Sequence, residues 1–238
     1  MWRDMGWYLE SEEFLSLGAR AVFTGKAFGD AKSPETTRLR ELPGIGEKAL
    51  CAGHQVHGEQ ITVVDEPGPL YREDNDGFLT NRDDVVLYTK YADCLPVFLL
   101  DPATGAMGVV HSGWKGSFAA VGLSALRLME RRYGSKISDI RILFGIGIAG
   151  RNYVVSGDFR GLFAGKFPPA VTGEAFSFRE GKIFFDNQTF NRLLFREAGV
   201  PSAHIFTNSL CVYDDPRFFS YRREKENPGR NAGIIYRL

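Results

Sequence analysis

Residues 94–111, CLPVFLLDPATGAMGVVH, contain two apolar runs separated by a short polar turn. Such runs are typical of strands buried on both faces, and the proline and glycine of the turn favour a tight reversal. We therefore predict an antiparallel hairpin that pairs Leu95–Leu100 with Ala106–Val110. Cys94 and His111 flank the two strands, so the hairpin should bring both side chains to its open end.

The rest of the chain alternates strand patterns with helical ones. Apolar residues at helical spacing predict helices over 118–132 and 190–197, a weaker pattern covers 153–163, and the acidic stretch 65–77 is predicted as a loop. Further strands are predicted at residues 7–9, 21–24, 61–64, 85–89, 140–144, 183–185, 203–207, 218–221 and 233–237. These elements predict an α+β fold: a single-domain mixed α/β sandwich over residues 1–238, with mixed and antiparallel sheets flanked by helices.

Composition restricts the class of protein. The chain has 29 basic and 29 acidic residues. That balance argues against a nucleic-acid-binding protein with a broad basic face, although it allows a local basic pocket for a small anion. Three cysteines are too few for a disulfide framework, which favours a reducing compartment. No stretch approaches about 20 uncharged apolar residues, and residues 1–13 lack a secretory signal pattern, so we expect a cytoplasmic protein without a membrane span.

A candidate metal site follows from the hairpin. His57 lies in a loop flanked by glycines, Gly53–Gly58, ahead of a predicted strand. If that loop reaches the open end of the hairpin, His57, Cys94 and His111 supply three corners of a tetrahedral zinc site, and the free fourth corner is typical of catalytic zinc. Zinc lowers the pKa of a bound water toward about 7, whereas a thiolate also suits copper(I). The plainer interpretation is a cysteine that packs as a small hydrophobe and histidines satisfied by their neighbours.

Five short motifs resemble those of one known family. They are QVHG at 55–58, ADCLP at 92–96, HSGWKG at 111–116, FSYRR at 219–223 and PGR at 228–230. In this order they resemble the signatures of the multicopper polyphenol oxidase (laccase-like, YfiH) family, and the resemblance covers roughly residues 50–238. The pair Asp76-Gly77 also resembles the Asp-Gly that precedes the family's ADC strand. The fold that it implies agrees with the mixed α/β sandwich predicted from the elements.

The resemblance implies a purine nucleoside enzyme that uses one catalytic zinc ion held by His57, Cys94 and His111. The implied reactions are phosphorolysis of adenosine, inosine and methylthioadenosine, and hydrolytic deamination of adenosine. We hypothesise that zinc-bound water attacks the purine C6 during deamination and that Asp93 relays protons. On an extended strand Asp93 would point away from Cys94, so a turn-capping role for this aspartate stays open.

Phosphate, the second implied substrate, needs cationic side chains. Lys115, Arg222 and Arg230 are the candidates, with Arg223 beside them, although a solvated basic segment is the plainer interpretation. Lys115 stands where the family usually has arginine, and lysine lacks the bidentate fork of a guanidinium. The family's proline- and cysteine-containing stretch appears here as GIGIAG, residues 145–150.

Other functions remain possible from the sequence alone. Residues 145–150 fit the glycine pattern of a dinucleotide-binding turn, but no good helix follows them; close approach of a loop to the pocket explains the glycines better. Cys94 and His111 could instead be the nucleophile and base of a cysteine hydrolase. A non-enzymatic binding module would need a fourth ligand that closes the metal site. A copper polyphenol oxidase (laccase) would need more histidines than the four present.

Overall fold

The hairpin predicted over residues 94–111 lies at the centre of the fold. In this computed structural model, which describes residues 1–238, Leu95–Leu100 and Met107–Ser112 pair antiparallel. The turn between them is held by Asp101, whose carboxylate accepts the backbone N–H of Ala103 at 2.9 Å. The predicted hairpin is therefore confirmed, with its second strand one residue later at the start and two residues longer at the end.

Sixteen strands and seven α-helices make up the regular structure. The strands are β1 Trp2–Asp4, β2 Tyr8–Ser11, β3 Ala19–Thr24, β4 Ala49–Gly53, β5 Ile61–Val63, β6 Leu70–Arg72, β7 Gly77–Thr80, β8 Val85–Tyr91, β9 Leu95–Leu100, β10 Met107–Ser112, β11 Arg141–Phe144, β12 Val154–Val155, β13 Phe176–Arg179, β14 Lys182–Phe185, β15 Ile205–Phe206 and β16 Asn231–Arg237. The helices are α1 Glu12–Ser16, α2 Trp114–Ala119, α3 Val121–Tyr133, α4 Gly157–Ala164, α5 Pro169–Thr172, α6 Asn187–Glu197 and α7 Tyr221–Glu224. No helix combines the length and the apolar character that a bilayer crossing would require.

Two large mixed sheets form the body of the fold. The first has the strand order β1-β2-β3-β16-β8-β4-β6, and the second has the order β15-β11-β9-β10-β7-β5. In the first sheet β4 runs parallel to both β6 and β8; in the second, β5 is parallel to β7 and β11 to β15. All other pairs are antiparallel, so the predicted mixture of mixed and antiparallel pairing is confirmed.

Strand β9 serves two cores, because successive side chains of a strand point to opposite faces. Phe98 packs between the two sheets against first-sheet residues such as Leu87 and Ile235. Val97 faces the other way and packs in a core that includes Met129 of α3 and Phe195 of α6. The outer face of the first sheet is covered by the segment between β3 and β4. The layers are therefore loop, sheet, sheet and helices, which confirms the predicted sandwich.

A third sheet, ordered β12-β14-β13, forms a smaller lobe with α4 and α5. The interior of this lobe is a cluster of aromatic rings. The ring of Phe163 lies 5.0 Å from that of Phe185 and 4.9 Å from that of Phe190, measured between centroids. Phe190 belongs to α6, which also contributes Phe195 to the core beside the second sheet. Helix α6 therefore joins the aromatic lobe to the body of the fold.

Two predicted elements differ because of local backbone conformation. The single helix predicted over 118–132 is two helices, since Ala120 adopts a left-handed conformation (φ 60°) between α2 and α3. The predicted strand over 218–221 is wrong: the N–H and C=O of Phe219 bond to the side chain of Asn231, at 2.9 and 2.8 Å, instead of to a neighbouring strand. The next residue, Ser220, already caps α7.

Other differences arise from pairing between distant segments. The predicted helix over 153–163 begins only at Gly157, because residues 154–155 pair with β14. The predicted loop over 65–77 contains strand β6, which pairs with β4. The sequence had indicated neither of these two strands. The predicted strand over 203–207 narrows to β15, preceded by a 3-10 turn. Such short strands carry too few residues for a periodic pattern of their own.

Candidate metal centre and cavity

Three potential metal ligands meet at the open end of the hairpin. His111 pairs with Pro96 across β9 and β10, and Cys94 lies just beyond the paired residues, at the same open end of the hairpin. His57 arrives from the loop between β4 and β5. The ligand atoms of His57, Cys94 and His111 lie within 4.8 Å of one another, which is close enough for one metal ion. The structure therefore brings together the three residues that the sequence predicted as ligands.

Asp76 organises two of these ligands, and the sequence did not identify it for that role. Its carboxylate accepts from His111 Nδ1 at 2.8 Å and from the backbone N–H groups of Val56, His57 and Gly58 at 3.3, 3.0 and 2.7 Å. Because Nδ1 of His111 is engaged, its Nε2 is left to bind a metal. Burial alone would raise the pKa of Asp76, but these hydrogen bonds and the His111 charge lower it. Asp76 is therefore ionised and fixes both the ring of His111 and the backbone of the His57 loop.

Gln55 holds the same loop from its other side. Its side-chain amide donates to the carbonyl of Lys90 at 2.9 Å, and its carbonyl oxygen accepts the N–H of Lys90 at 2.7 Å. The side chain thus imitates a neighbouring strand at the end of β8. This double contact matters because His57 has a left-handed backbone (φ 63°), a conformation that non-glycine residues adopt only when neighbours hold them there.

The thiol and the imidazoles interact strongly. Burial tends to raise the pKa of Cys94, but the adjacent His111 and His57 outweigh burial and lower it. Burial tends to lower the pKa of His111, whereas Cys94 and Asp76 raise it. The balance in both cases favours a thiolate beside a charged ring. The absence of a side chain at Gly113 leaves space for Cys94 and His57, since a Cβ there would lie 2.9 Å from Cys94 Sγ and 3.1 Å from a ring carbon of His57.

The three candidate ligands open into a cavity of about 550 Å³. One part of its wall is aromatic and contains Trp114, Tyr153 and Tyr221. The positive charge of the wall comes from Lys32, Lys90, Arg222 and Arg230. Asp93 contributes the only carboxylate of the lining. The cavity therefore offers flat rings, cations and a candidate metal site in one space.

Asp93 lines this cavity beside Cys94. A left-handed backbone at Asp93 (φ 91°) interrupts the extended chain between β8 and β9. The side chains of Asp93 and Cys94 therefore do not point to opposite faces of a strand, and both line the cavity. The carboxylate accepts from Ser220 Oγ and from the N–H of Arg222, both at 2.6 Å, and thereby also caps α7. Burial raises the pKa of Asp93 despite these hydrogen bonds. The residue therefore faces the cavity and anchors α7 at once.

The predicted cations are placed unequally. Arg222 and Arg230 line the cavity, whereas Lys115 is exposed on the first turn of α2, with its ammonium 5.7 Å from the centre of the Trp114 ring and outside the cavity wall. Arg223 donates to backbone carbonyls, including that of Val212 at 2.6 Å, and so holds the local chain together. Lys32 and Lys90 also line the cavity, and no sequence pattern had singled them out.

The glycine stretch at 145–150 forms part of the support beneath the site. No helix follows β11 there, which excludes the helix N-terminus that a dinucleotide site needs. A Cβ at Gly147 would lie 3.0 Å from the carbonyl oxygen of Asp93, and the N–H of Ile148 donates to that same oxygen at 2.8 Å. The glycines therefore allow the close approach that the sequence suggested.

The chain is similar to proteins of one known family. Residues 29–238 match the model of a family described as multi-copper polyphenol oxidoreductase laccase. A purine nucleoside phosphorylase of Borreliella burgdorferi is 33% identical over 213 residues, which cover 87% of this chain and 90% of that protein. A purine nucleoside phosphorylase of Deinococcus radiodurans is 33% identical over 198 residues, 83% of this chain and 74% of that protein.

Two crystal structures share the fold over almost the whole length. The hypothetical protein YfiH of Bacillus licheniformis superposes with a TM-score of 0.89 at 26% identity, covering 100% of this chain and 99% of its own. YlmD from Geobacillus stearothermophilus gives a TM-score of 0.86 at 25% identity, covering 99% and 97%.

Proposed function

The chain belongs to the multi-copper polyphenol oxidoreductase laccase family, and from that premise we propose that it is a purine nucleoside enzyme. The proposed reactions are phosphorolysis of adenosine, inosine and methylthioadenosine, and hydrolytic deamination of adenosine. The observation that carries the proposal is the His57–Cys94–His111 group in the wall of a cavity that is also lined by aromatic and cationic side chains. Relatives named purine nucleoside phosphorylase support the same substrate class.

The donor set fits a single zinc ion. Two imidazoles and one thiolate are ligands that zinc takes, and Asp76 provides the second contact to His111 that zinc-bound histidines usually make. No fourth side chain joins the group, as a substrate-accessible site requires. A zinc ion held there would supply a Lewis acid to the cavity. Copper(I) would accept the same thiolate, and metal analysis separates the two.

The aromatic and cationic parts of the wall suit the two substrates of phosphorolysis. Trp114 and Tyr153 present rings on which a purine can stack, and the cations can bind phosphate. In phosphorolysis the bond between ribose C1′ and the purine nitrogen breaks, a bond from C1′ to a phosphate oxygen forms, and the base leaves with a proton. The wall of the cavity then has to orient phosphate toward C1′ and exclude competing water.

Asp93 is the candidate for moving a proton in both reactions. Its raised pKa and its position in the cavity wall suit an acid that gives a proton to the departing base. In deamination, water adds at C6 of adenosine and ammonia leaves, so one proton must pass from the water to the amino group. Ser220 and the N–H of Arg222 hold the Asp93 carboxylate in place for this transfer.

Product analysis tests this function. Purified protein is incubated with adenosine, with and without inorganic phosphate, and the products are separated by chromatography. Adenine that forms only with phosphate identifies phosphorolysis, and inosine identifies deamination. Cys94→Ala should lose turnover together with the metal. Cys51→Ala is the matched control, because Cys51 is buried in β4 away from the cavity.

Two other reactions would give different outcomes. Cys94 and His111 are close enough to act as a nucleophile and base in a cysteine hydrolase. Activity of metal-free protein that thiol alkylation abolishes would establish that alternative. Oxidation of phenols with bound copper would establish the polyphenol oxidase. Of the remaining histidines, His204 contacts Arg141 and His54 contacts Glu73, so neither adds to the His57–Cys94–His111 group.

A further inference from the structure

Three of the cavity cations, Lys32, Lys90 and Arg230, have no carboxylate partner, although Lys32 Nζ donates to the side-chain oxygen of Asn227 at 2.7 Å. Lys90 is half-buried near the end of β8, and Arg230 directly precedes β16, which pairs with β8. Lys32 completes the group from the segment between β3 and β4. None of the three forms an ion pair. Glu73, the carboxylate whose charge acts on Lys90, lies 3.3 Å from His54.

The backbone is built to hold these cations together. Asp30 accepts the backbone N–H of Lys32 at 3.0 Å and that of Arg230 at 2.9 Å through one oxygen. It therefore joins the two segments through their main chains and leaves both charged side-chain heads free of it. The N–H and C=O of Lys90 are both bound by Gln55. Three fixed backbones thus present positive side chains to the same space.

Charges of the same sign repel, and half-buried cations such as Lys90 and Arg230 are costly without a counter-ion, so such a pair is expected mainly where an anion binds. Burial lowers the pKa of Lys90, and the charge of Arg230 lowers it further. Nη1 of Arg230 donates to the carbonyl oxygens of Pro228 and Gly229, at 2.8 and 3.1 Å. The other N–H groups of the guanidinium are available to bind an anion. A dianion between Lys90 and Arg230 would relieve their repulsion.

The other candidate cations are less suited to this role. The guanidinium of Arg222 donates weakly to the carbonyl of Val154, at 3.3 and 3.4 Å, and lies 5.5 Å from the centre of the Tyr153 ring. It therefore belongs to the aromatic part of the wall. Lys115 stands outside the cavity altogether.

We propose that Lys90 and Arg230, with Lys32 at the rim, form the subsite for a phosphate group. Recognition of phosphate as a co-substrate rests on the proposed function; the binding of a phosphate dianion does not. The group recognised is either free inorganic phosphate or the ester phosphate of a purine nucleotide. The aromatic wall then receives the purine, and Arg222 acts there instead of on phosphate.

Calorimetry with the full chain tests the subsite directly. Inorganic phosphate and adenosine 5′-monophosphate are titrated separately into wild type, Lys90→Met, Lys90→Arg and Lys115→Met. Lys136→Met is the matched control, because this exposed lysine lies outside the cavity. Lys90→Met should weaken phosphate binding by about tenfold or more, the value of one charge-assisted hydrogen bond, and Lys90→Arg should retain most of it. Far-ultraviolet circular dichroism confirms that each variant is folded.

The ligand that responds identifies the source of the phosphate. Loss of inorganic phosphate binding in Lys90→Met indicates a free co-substrate, and loss confined to the monophosphate indicates a nucleotide. Equal affinity of Lys90→Met and wild type for both ligands overturns the subsite, as does a loss seen only in Lys115→Met. Absence of phosphate binding in the wild type overturns it as well.

Steady-state kinetics separate the subsite from the proposed function. If the wild type cleaves nucleosides, Lys90→Met should raise the KM for phosphate about tenfold and leave the KM for nucleoside within about twofold. If phosphate binding depends on Lys90 but the protein turns over no nucleoside, the proposed function is refuted and the phosphate subsite is supported. If the protein phosphorolyses nucleosides but Lys90→Met leaves the KM for phosphate unchanged, the subsite is refuted and the function is supported.

Discussion

Replacement of Asp76 by asparagine should damage the metal site and the fold together. Each carboxylate oxygen has two donors: Oδ1 takes His57 N–H and His111 Nδ1, and Oδ2 takes the N–H groups of Val56 and Gly58. An asparagine has only one oxygen, so one pair must lose its acceptor whichever way the amide is oriented. If the amide nitrogen faces Val56 and Gly58, two N–H groups are left without an acceptor.

The other orientation damages the ligand itself. An amide nitrogen that faces His111 donates to Nδ1, so the neutral ring must carry its proton on Nε2, the atom left to bind the metal. Hydrogen bonds to charged groups contribute about 1.5–3 kcal/mol each. We therefore expect Asp76→Asn to lower the free energy of unfolding by about 3 kcal/mol after local relaxation. Zinc affinity should fall about 10- to 100-fold, as is usual when the partner of a ligating histidine is replaced.

Two measurements on the same samples check these values. Urea unfolding of the metal-free proteins gives the change in stability, and competition with a chromophoric chelator gives the zinc affinity. Asp84→Asn is the matched control, since the ion pair of Asp84 with Arg82 is exposed to solvent and should contribute little to stability. An Asp76→Asn protein with wild-type stability and wild-type zinc affinity would refute the role given to this carboxylate.

The same variant predicts a change in acid stability. The pKa of Asp76 is lower in the folded chain than its ordinary value of 3.8. Its contribution is therefore complete above that value and is lost as the pH falls through the lower folded-state pKa. Wild-type stability should fall more steeply than that of Asp76→Asn below about pH 4. Parallel slopes in acid unfolding curves would contradict this assignment.

Three further substitutions address the centre. Cys94→Ala should abolish stoichiometric zinc binding, and Cys51→Ala should retain it; elemental analysis of both checks this, and equal metal content would contradict the ligand assignment. Gln55→Ala removes both bonds between the His57 loop and Lys90 of β8, and it should weaken zinc binding about tenfold. Gln55→Glu should restore only the bond that the Lys90 N–H donates. Unchanged zinc affinity of Gln55→Ala in the chelator assay would show that Asp76 alone positions the loop. Gly113→Ala places a methyl group 2.9 Å from Cys94 Sγ and should reduce zinc binding without altering secondary structure, so retention of full affinity by a folded variant would mean that the site yields easily.

Much of the fold could be predicted from local patterns, because the central strands are long and apolar. The pairing of Leu95–Leu100 with its partner, and with it the meeting of Cys94 and His111, followed from the two runs and one turn. The helix over 118–132 was predicted too long at its start, because apolar spacing reports a buried face and does not reveal the left-handed conformation of Ala120.

The parts of the site that escaped prediction depend on contacts between distant segments. Asp76 belongs to an Asp-Gly pair that the family resemblance covers. Its contacts with His57, 19 residues away, and with His111, 35 residues away, are not indicated by its neighbours in the sequence. Lys32 and Lys90 have no local motif, since their common environment arises only when β8 and the segment after β3 come together. A family resemblance identifies residues in motifs, whereas these contacts are revealed only by the folded structure.

Phosphorus-31 magnetic resonance of the wild-type protein with inosine and inorganic phosphate tests the central claim most directly. The phosphate signal should decline while a sugar phosphate signal appears, in step with the release of hypoxanthine, and Cys94→Ala should produce neither change. Hypoxanthine released with free ribose and an unchanged phosphate signal would mean hydrolysis and would contradict phosphorolysis. A zinc-loaded wild type that leaves inosine, adenosine and methylthioadenosine intact would contradict the proposed function as a whole.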